Sequence, residues 1–241
     1  MRNPDRFEFK SFSVHQQRSV MKVCTDSCAF GALAEINYAK TILDIGTGTG
    51  LLSLMLAQKA SHEIHIDAID IDSETLLDAH ENILSSPWKD SITLYHDNVA
   101  TWKHEAVYDM IISNPPFHVR STSSKHQQEA VAFHADHSLP FSELASVLNS
   151  RSHQDTRSWI LLPINEMQQF LSHALSEGLH VQKSIIIHDS MDHDPTRSIA
   201  ILSKQVRSEP VEVVHFTYRE YAGGPFTPEF ITTLSPFYLF L

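Results

Sequence analysis

Cysteine is scarce in this sequence. The chain of 241 residues contains two cysteines, Cys24 and Cys28. Their spacing lacks the CxxC pattern of a structural zinc site, and two thiols cannot build a framework of several disulfides. We therefore expect no metal centre and a chain that functions in a reducing compartment.

Long apolar runs and basic residues are also scarce. No run reaches the ~18 apolar residues of a membrane span, and the opening MRNPDRFEFK lacks the hydrophobic core of a signal peptide. This predicts a cytoplasmic protein. The 18 Lys and Arg side chains against 29 Asp and Glu give a net charge of −11, which argues against nucleic-acid binding over the whole surface. Residues 1–22 have the opposite balance, so the basic end is the N-terminal arm.

From residue 41 onward, short β-branched runs alternate with amphipathic stretches, which is typical of a doubly wound parallel sheet. We predict parallel strands over 41–45, 63–69, 92–96, 108–113 and 158–163. Helices are predicted over 49–60, 73–85, 140–150 and 164–177. Two more β-prone runs, 180–188 and 197–204, lie too close together for a crossover helix, so we expect an antiparallel hairpin at the end of the sheet.

The predicted architecture is one α/β domain with a seven-stranded sheet, six strands parallel and one antiparallel. No internal repeat and no linker rich in Gly or Ser divides the chain. We assign residues 1–40 to an N-terminal arm and a helix that precedes the sheet, and residues 41–241 to the single structural domain. Phe7, Phe9 and Phe12 alternate with polar residues, as in a half-buried strand that anchors the arm.

A glycine-rich segment, DIGTGTG, follows the first predicted strand. Gly46, Gly48 and Gly50 let the backbone turn tightly and approach a ligand closely. The loop lacks the GxGxxG pattern of dinucleotide-binding proteins, because position 51 is Leu. Asp44 would repel a pyrophosphate but would attract the ammonium and sulfonium groups of S-adenosylmethionine. The segment therefore favours S-adenosylmethionine as the ligand.

Aspartates also end the second and third predicted strands. Asp70 is suited to accept hydrogen bonds from both hydroxyls of a ribose, and Asp97 from an adenine amino group. Each aspartate could instead simply cap the following helix, which is the role we assign to Asp72, just before Ser73. Together, the three strand-end aspartates Asp44, Asp70 and Asp97 form a more specific pattern than any one of them.

The fourth strand ends in NPPF, residues 114–117. The side-chain oxygen of Asn114 and the carbonyl of Pro115 can accept hydrogen bonds from a planar amino group, and Pro115 and Pro116 restrict the backbone that holds them. Such acceptors would stabilise the positive charge that develops on an exocyclic amine during attack on a methyl group. Phe117 offers a ring on which a base can stack. The motif alone is also compatible with a rigid turn, but after DIGTGTG it favours catalysis.

The chain resembles class I S-adenosylmethionine-dependent methyltransferases that carry NPPF or NPPY. It is most similar to the bacterial valine-tRNA adenine N6-methyltransferases. The segments that carry the resemblance are FEFKSFSV (7–14), MKVCTDS (21–27), ILDIGTGTGLLSLMLAQ (42–58), DAIDID (67–72), ENILSSPW (81–88), YDMIISNPPF (108–117), HADHSLPF (134–141) and FTPEF to FYL (226–239). The resemblance implies a Rossmann-like fold and methyl transfer from S-adenosylmethionine, which leaves S-adenosylhomocysteine, to adenine N6 at position 37 of valine tRNA.

The resemblance also implies residue roles. It places residues 114–117 at the target amine, with Asn114 also close to the cofactor, and implies that Thr25 and Asp26 lie near the methionine end of the cofactor or the catalytic loop. The cofactor residues that it implies coincide with those derived above: Asp44, Gly46, Asp70 and Asp97. Candidate RNA contacts are the basic residues of the arm and of the loop after NPPF: Lys10, Arg18, Lys22, Arg120 and Lys125.

Other functions are compatible with the same motifs. NPPF or NPPY also serves guanine N2 methylation of ribosomal RNA and methylation of a glutamine amide in release factors, and the acidic composition keeps a protein substrate open. A non-catalytic RNA-binding or cofactor-sensing module could share the fold. It would not need the acceptors of Asn114 and Pro115. We expect the protein to act as a monomer on tRNA.

Overall fold

The computed structural model describes residues 4–115 and 139–241. The chain begins with a two-stranded antiparallel hairpin, in which Arg6 is paired with His15. The strands are β1 (Arg6–Glu8), β2 (Ser13–His15), β3 (Thr41–Ile45), β4 (His65–Asp70), β5 (Ile92–His96), β6 (Tyr108–Ser113), β7 (Ser152–Pro163), β8 (His180–Ser190), β9 (Arg197–Ser203) and β10 (Glu212–Arg219). The helices are α1 (Thr25–Leu33), α2 (Leu51–Lys59), α3 (Ser73–Leu84), α4 (Phe141–Ser150), α5 (Ile164–Ser176) and α6 (Pro228–Leu234).

Eight strands form one sheet in the order β10-β8-β9-β7-β6-β3-β4-β5. Neighbouring strands are parallel except where β9 pairs with β7 and β8. The doubly wound α/β prediction is therefore confirmed. The carboxyl ends of β3, β4, β5 and β6 lie at one edge of the sheet, where ligands bind in folds of this kind.

The strand count of seven was wrong. The eighth strand is β10, which lies beyond β8, so the antiparallel pair of β8 and β9 is inside the sheet rather than at its end. Residues Val211 to Tyr218 do alternate in a β-like manner, but the pattern is weak because β10 is an edge strand with one exposed face. Helix α6 was not predicted either, although Thr227 followed by Pro228 is a recognisable helix start.

Both faces of the sheet are covered by helices. Successive residues of β3 show this, because Ile42 packs into a cluster with α1, α2 and α6, while Leu43 packs into a second cluster with α4 and α5. This sandwich explains why the parallel strands have few polar residues along their length. The hairpin is held by Phe9 and Phe12, whose rings stack at 4.5 Å and are buried, as the sequence predicted for Phe9 and Phe12.

The helices that follow β3 and β4 begin in different ways. At α2, the N-cap is Gly50 in the left-handed region, with φ of +80°. At α3, the N-cap is Asp72, whose side chain accepts a hydrogen bond from the backbone N–H of Glu74 at 3.0 Å. The predicted capping role of Asp72 is therefore confirmed. In the described part of the chain, no helix combines the length and the apolar character that crossing a membrane requires.

Candidate active site

A cavity of about 240 Å³ opens at the carboxyl edge of β3, β4, β5 and β6. Its walls are the turns that follow these four strands, the segment before α1 and the start of α4. The residues that line it include Ser19, Val20, Met21, Lys22, Cys24, Gly46, Gly48, Asp70, Asp97, Asn98, Asn114, Pro115 and Glu143. The cavity is therefore where the sequence placed the ligand site.

The glycine loop forms the floor of the cavity. Gly46 and Gly48 line it, and both have positive φ, +70° and +55°. The backbone N–H groups of Gly46 and Thr47 donate to the carbonyl of Ile69 at 2.9 and 3.1 Å, which ties the loop to the end of β4. Gly50 also has positive φ but begins α2 and does not line the cavity. Its role is to turn the chain into the helix.

Asp70 connects the glycine loop to the turn before α3. Its carboxylate accepts hydrogen bonds from the N–H of Gly48 at 2.8 Å and of Asp72 at 3.0 Å. Burial raises the pKa of Asp70, and these two hydrogen bonds oppose that shift. Asp97 is more exposed and lies alongside, because its N–H donates to the carbonyl of Asp70 at 3.1 Å. Asp70 and Asp97 both line the cavity.

Asp44 lies beneath the glycine loop rather than at the mouth of the cavity. It is fully buried, and one carboxylate oxygen accepts hydrogen bonds from the hydroxyls of Thr47 and Ser53, both at 2.7 Å. The other oxygen has no hydrogen-bond partner among the residues that the structure describes. Burial raises the pKa of Asp44 to about 6 in spite of these two hydrogen bonds. Asp44 therefore holds the loop from below, and its contact with a ligand stays a prediction.

The NPPF motif enters the cavity at the end of β6. The hydroxyl of Ser113 donates to the carbonyl of Ile45 at 2.8 Å, which fixes the end of β6 to the end of β3. Asn114 is half-buried and Pro115 is buried, and both line the cavity. Pro116 and Phe117 lie outside the described residues. The structure thus brings the predicted amine-binding pair into the same cavity as the glycine loop and Asp70.

Thr25 and Asp26 are in α1 and do not line the cavity. Asp26 accepts a hydrogen bond from the hydroxyl of Tyr218 at 2.9 Å and pairs with the guanidinium of Arg197 at 3.4 Å. These contacts join α1 to β9 and β10. The wall of the cavity in this region is formed instead by Cys24 and by the residues just before it.

The predicted RNA contacts have different positions. Lys10 donates to the carbonyls of Ser235 at 2.5 Å and Leu241 at 3.3 Å. Arg18 pairs with the carboxylate of Asp78 at 2.7 Å. Lys22 lines the cavity and donates to the carbonyl of Gln16. Arg120 and Lys125 lie outside the described residues. The role of all five in RNA binding stays a prediction.

Sequence reasoning missed several residues of the cavity wall. Val20 and Met21 line it while remaining 44% and 41% exposed, and Glu143 contributes from the first turn of α4. Val20 and Glu143 lie outside the motifs, and Met21 only begins the segment MKVCTDS. Their place in the cavity follows from how distant segments pack. Asn98 could have been found, since it follows Asp97 at the end of a predicted strand. Over residues 4–115 and 139–241, no group of three or more His, Cys, Asp or Glu side chains is arranged to hold a metal ion.

A doubly wound sheet with a glycine loop and strand-end aspartates at one cavity defines the class I methyltransferases. Solved structures share the fold. A predicted O-methyltransferase from Agrobacterium tumefaciens superposes with a TM-score of 0.62 at 12% identity, over 88% of this chain and 96% of that one. A glycopeptide N-methyltransferase in complex with S-adenosylmethionine has a TM-score of 0.55 at 7% identity, over 75% and 93%.

The comparisons of sequence identify the family more specifically than the shared fold does. The model of the methyltransferase small domain matches residues 30–168. A tRNA1(Val) (adenine(37)-N6)-methyltransferase from Dyadobacter fermentans is 37% identical, over 97% of this chain and 97% of that protein. The chain belongs to the tRNA1(Val) (adenine(37)-N6)-methyltransferase family.

Proposed function

We propose that this protein transfers a methyl group from S-adenosylmethionine to N6 of an adenine in tRNA, at adenosine 37 of valine tRNA. The observation that supports this most directly is the position of Asn114 and Pro115, which line the same cavity as Gly46, Gly48 and Asp70. The name of the Dyadobacter fermentans relative specifies this nucleoside and this nitrogen. Family membership and site geometry therefore support the same reaction.

The residues of the cavity fit S-adenosylmethionine. The Asp70 carboxylate has acceptor capacity beyond its two backbone hydrogen bonds, so it can hold the ribose hydroxyls. Asp97 and Asn98 are adjacent in the cavity wall, and we propose that they contact the adenine ring. The carboxylate of Asp44, buried beneath the loop, would favour a cationic group above the loop through its charge. When bound, the cofactor supplies an electrophilic methyl group on a sulfonium centre.

Asn114 and Pro115 would orient the target amine. The lone pair of an adenine amino group is delocalised into the ring, so the amine is a weak nucleophile. Hydrogen bonds from its two N–H groups to the Asn114 side-chain oxygen and the Pro115 carbonyl would localise that lone pair and stabilise the positive charge on nitrogen. The target nitrogen would become cationic on taking the methyl group that the cofactor supplies, with S-adenosylhomocysteine as the leaving group, and would then lose one proton to solvent. Phe117 is the sequence-based candidate for stacking on the base.

An RNA loop is a suitable source of such a base. The target base must unstack from its neighbours before its amino group can reach Asn114. A nucleotide of the anticodon loop can unstack at low energetic cost. The protein-substrate alternative, a glutamine amide, and ribosomal RNA are less favoured, because the full-length relatives are tRNA enzymes by name. A substrate of this kind implies action in the cytoplasm, and we propose that the enzyme acts as a monomer.

Labelling of separate substrate pools tests the proposal. The protein is incubated with methyl-labelled cofactor and, in parallel, total tRNA, ribosomal RNA or release factor. We expect label in tRNA only, as N6-methyladenosine after digestion to nucleosides. Label confined to protein or to ribosomal RNA would reject the proposed substrate.

The variant Asn114→Ala tests the catalytic assignment. Loss of one acceptor that stabilises the transition state typically costs about 10²–10³ in kcat. We expect that loss while the affinity for S-adenosylhomocysteine, measured by calorimetry, changes less than about threefold. Asp70→Asn is the matched control, because it should weaken cofactor affinity first. Retained activity in Asn114→Ala would contradict the mechanism.

A further inference from the structure

Residues 16–24 cross over the cavity between β2 and α1 without regular secondary structure, and we call them the strap. Six consecutive strap residues, 19–24, line the cavity. The strap closes on itself, because the side-chain carbonyl of Gln16 accepts from the N–H of Val23 at 2.7 Å and the hydroxyl of Ser19 donates to the carbonyl of Met21 at 2.7 Å. One wall of the site is thus a segment without a helix or strand, so its position also depends on contacts with neighbouring elements.

Asp78 of α3 supplies part of that support. One of its oxygens accepts from the backbone N–H groups of Arg18 at 2.8 Å and Ser19 at 3.1 Å. The other accepts from the Arg18 guanidinium at 2.7 Å. Asp78 is fully buried. A buried carboxylate is stable only if it is well paired, so its position in α3 and the position of the strap depend on each other.

Asn82 lies one turn further along the same face of α3. Its side-chain oxygen accepts from the N–H of His15 at 2.7 Å, and its side-chain amide donates to the carbonyls of His15 and Thr49, both at 2.9 Å. Asn82 is 1% exposed. Thr49 belongs to the glycine loop, so a single amide joins the strand before the strap to the loop beneath the ligand.

We propose that Asp78 and Asn82 are positioning residues that hold the strap at a fixed distance from the glycine loop and thereby set the affinity of the cavity for the cofactor. This inference rests on the proposed function in that the ligand of the cavity is S-adenosylmethionine. Neither side chain lines the cavity. They act through the strap and through Thr49, and the cofactor is bound between these two walls.

Two variants and one control test the proposal in the full chain. Asp78→Ala removes three hydrogen bonds to the strap, and Asn82→Ala removes two to His15, just before the strap, and one to Thr49 of the glycine loop. Asp109→Ala is the control, because Asp109 also accepts from backbone N–H groups, those of Lys40 at 2.8 Å and Thr41 at 3.0 Å, near the opposite edge of the sheet. It reports the effect of losing a carboxylate that anchors backbone N–H groups remote from the cavity, although Asp109 is partly exposed and Asp78 is fully buried.

The first measurement is the dissociation constant of S-adenosylhomocysteine by calorimetry, without RNA. We expect it to rise at least tenfold in Asp78→Ala and Asn82→Ala and less than threefold in Asp109→Ala. The second is the rate of tryptic cleavage after Arg18 and Lys22 in the strap of the free protein, which should increase in the two test variants only. At saturating cofactor, kcat should stay within about threefold of the wild type while KM for the cofactor rises.

Two further variants keep the proposal testable if Asp78→Ala does not fold, and they distinguish the backbone contacts of Asp78 from its contact with the Arg18 guanidinium. Asp78→Asn keeps an acceptor for the two backbone N–H groups and should give an intermediate affinity. Arg18→Ala removes the guanidinium contacts with Asp78 and Glu81 but keeps both backbone N–H groups that donate to Asp78, so it should leave the affinity within threefold. Unchanged affinity in Asp78→Ala or Asn82→Ala, or an equal loss in Asp109→Ala, would overturn the proposal. A wild-type protein that binds S-adenosylhomocysteine but methylates no tRNA would reject the proposed substrate and leave the role of the strap intact.

Discussion

Asp44 shows how burial changes the role of a single residue. In the sequence it is the acidic residue before three glycines, and its charge suggested a direct attraction for a sulfonium ligand. In the structure it is fully buried below the loop and held by Thr47 and Ser53. Its pKa is raised to about 6 because water no longer stabilises the ionised form. Ionisation of Asp44 therefore lowers the stability of the folded protein.

This gives a pH dependence with a definite sign. The folded pKa of Asp44, about 6, lies above the value of 3.8 of the free side chain, so the folded protein binds more protons between these two values. The stability that the protonated form contributes is complete below about pH 4 and is lost as the pH rises through 6. The variant Asp44→Asn does not titrate. The free energy of unfolding of the variant relative to the wild type should therefore rise by about 2–3 kcal/mol from pH 4 to pH 7.

Urea unfolding of both proteins at several pH values in this range measures the difference. The substitution also changes hydrogen bonds, but these change the free energy of unfolding of the variant by the same amount at every pH. They therefore do not affect how the difference between the two proteins varies with pH. A difference that is constant between pH 4 and pH 7 would show that Asp44 titrates normally in the folded protein.

Among the elements, those with a strong local signal could be predicted. The strand, glycine loop and helix at residues 41–59 were predicted because β-branched residues, glycines and a leucine-rich run follow each other in order. Strand β10 was not, since only two of its eight residues are buried and Val213 is 55% exposed. Its place beside β8 depends on backbone hydrogen bonds between segments about 30 residues apart, which no local pattern encodes.

Gly31 illustrates a contact between elements. A Cβ atom at this position of α1 would lie 2.7 Å from the sulfur and 3.2 Å from the Cβ of Met55 in α2, so the glycine is required by the crossing of the two helices. Alanine favours a helix by about 1 kcal/mol over glycine. Overpacking a core typically costs about 1–3 kcal/mol, and Met55 is fully buried with little room to move.

We therefore expect Gly31→Ala to lower the free energy of unfolding by about 1–2 kcal/mol net. In a double-mutant cycle, Met55→Ala should cost less in the Gly31→Ala background than in the wild type, since the smaller side chain relieves the clash. Denaturant unfolding of the four proteins provides the cycle. Additive effects would mean that the helices adjust without a clash.

At the scale of the whole molecule, the net charge of −11 poses a problem for an RNA enzyme. The described basic side chains of the arm are largely used within the fold: Lys10 binds carbonyls near the C-terminus, and Arg18 pairs with Asp78. Of the five basic candidates, Arg120 and Lys125 in the sequence after NPPF are the ones for which we predict phosphate contacts.

The salt dependence of tRNA binding tests this distribution. Each lost phosphate contact lowers the slope of log K against log salt by about 0.7–0.9. The double variant Arg120→Ala with Lys125→Ala should bind tRNA about tenfold more weakly at low salt, with a slope smaller by between one and two. Lys10→Ala is the control and should leave the slope unchanged. If the slope is smaller in Lys10→Ala, or unchanged in the double variant, the phosphate contacts lie on the arm and not in the sequence after NPPF.

The sequence by itself determined the class of fold, the glycine loop, the ends of four parallel strands and the motif at residues 114–117, because these are local patterns with a direct steric or chemical cause. The tertiary structure decided which of these groups meet. Burial placed Asp44 beneath the loop, ion pairing committed Arg18 to Asp78, and packing made the strap into a wall of the cavity. Such contacts join residues that are distant in the chain, so their energies depend on the complete fold.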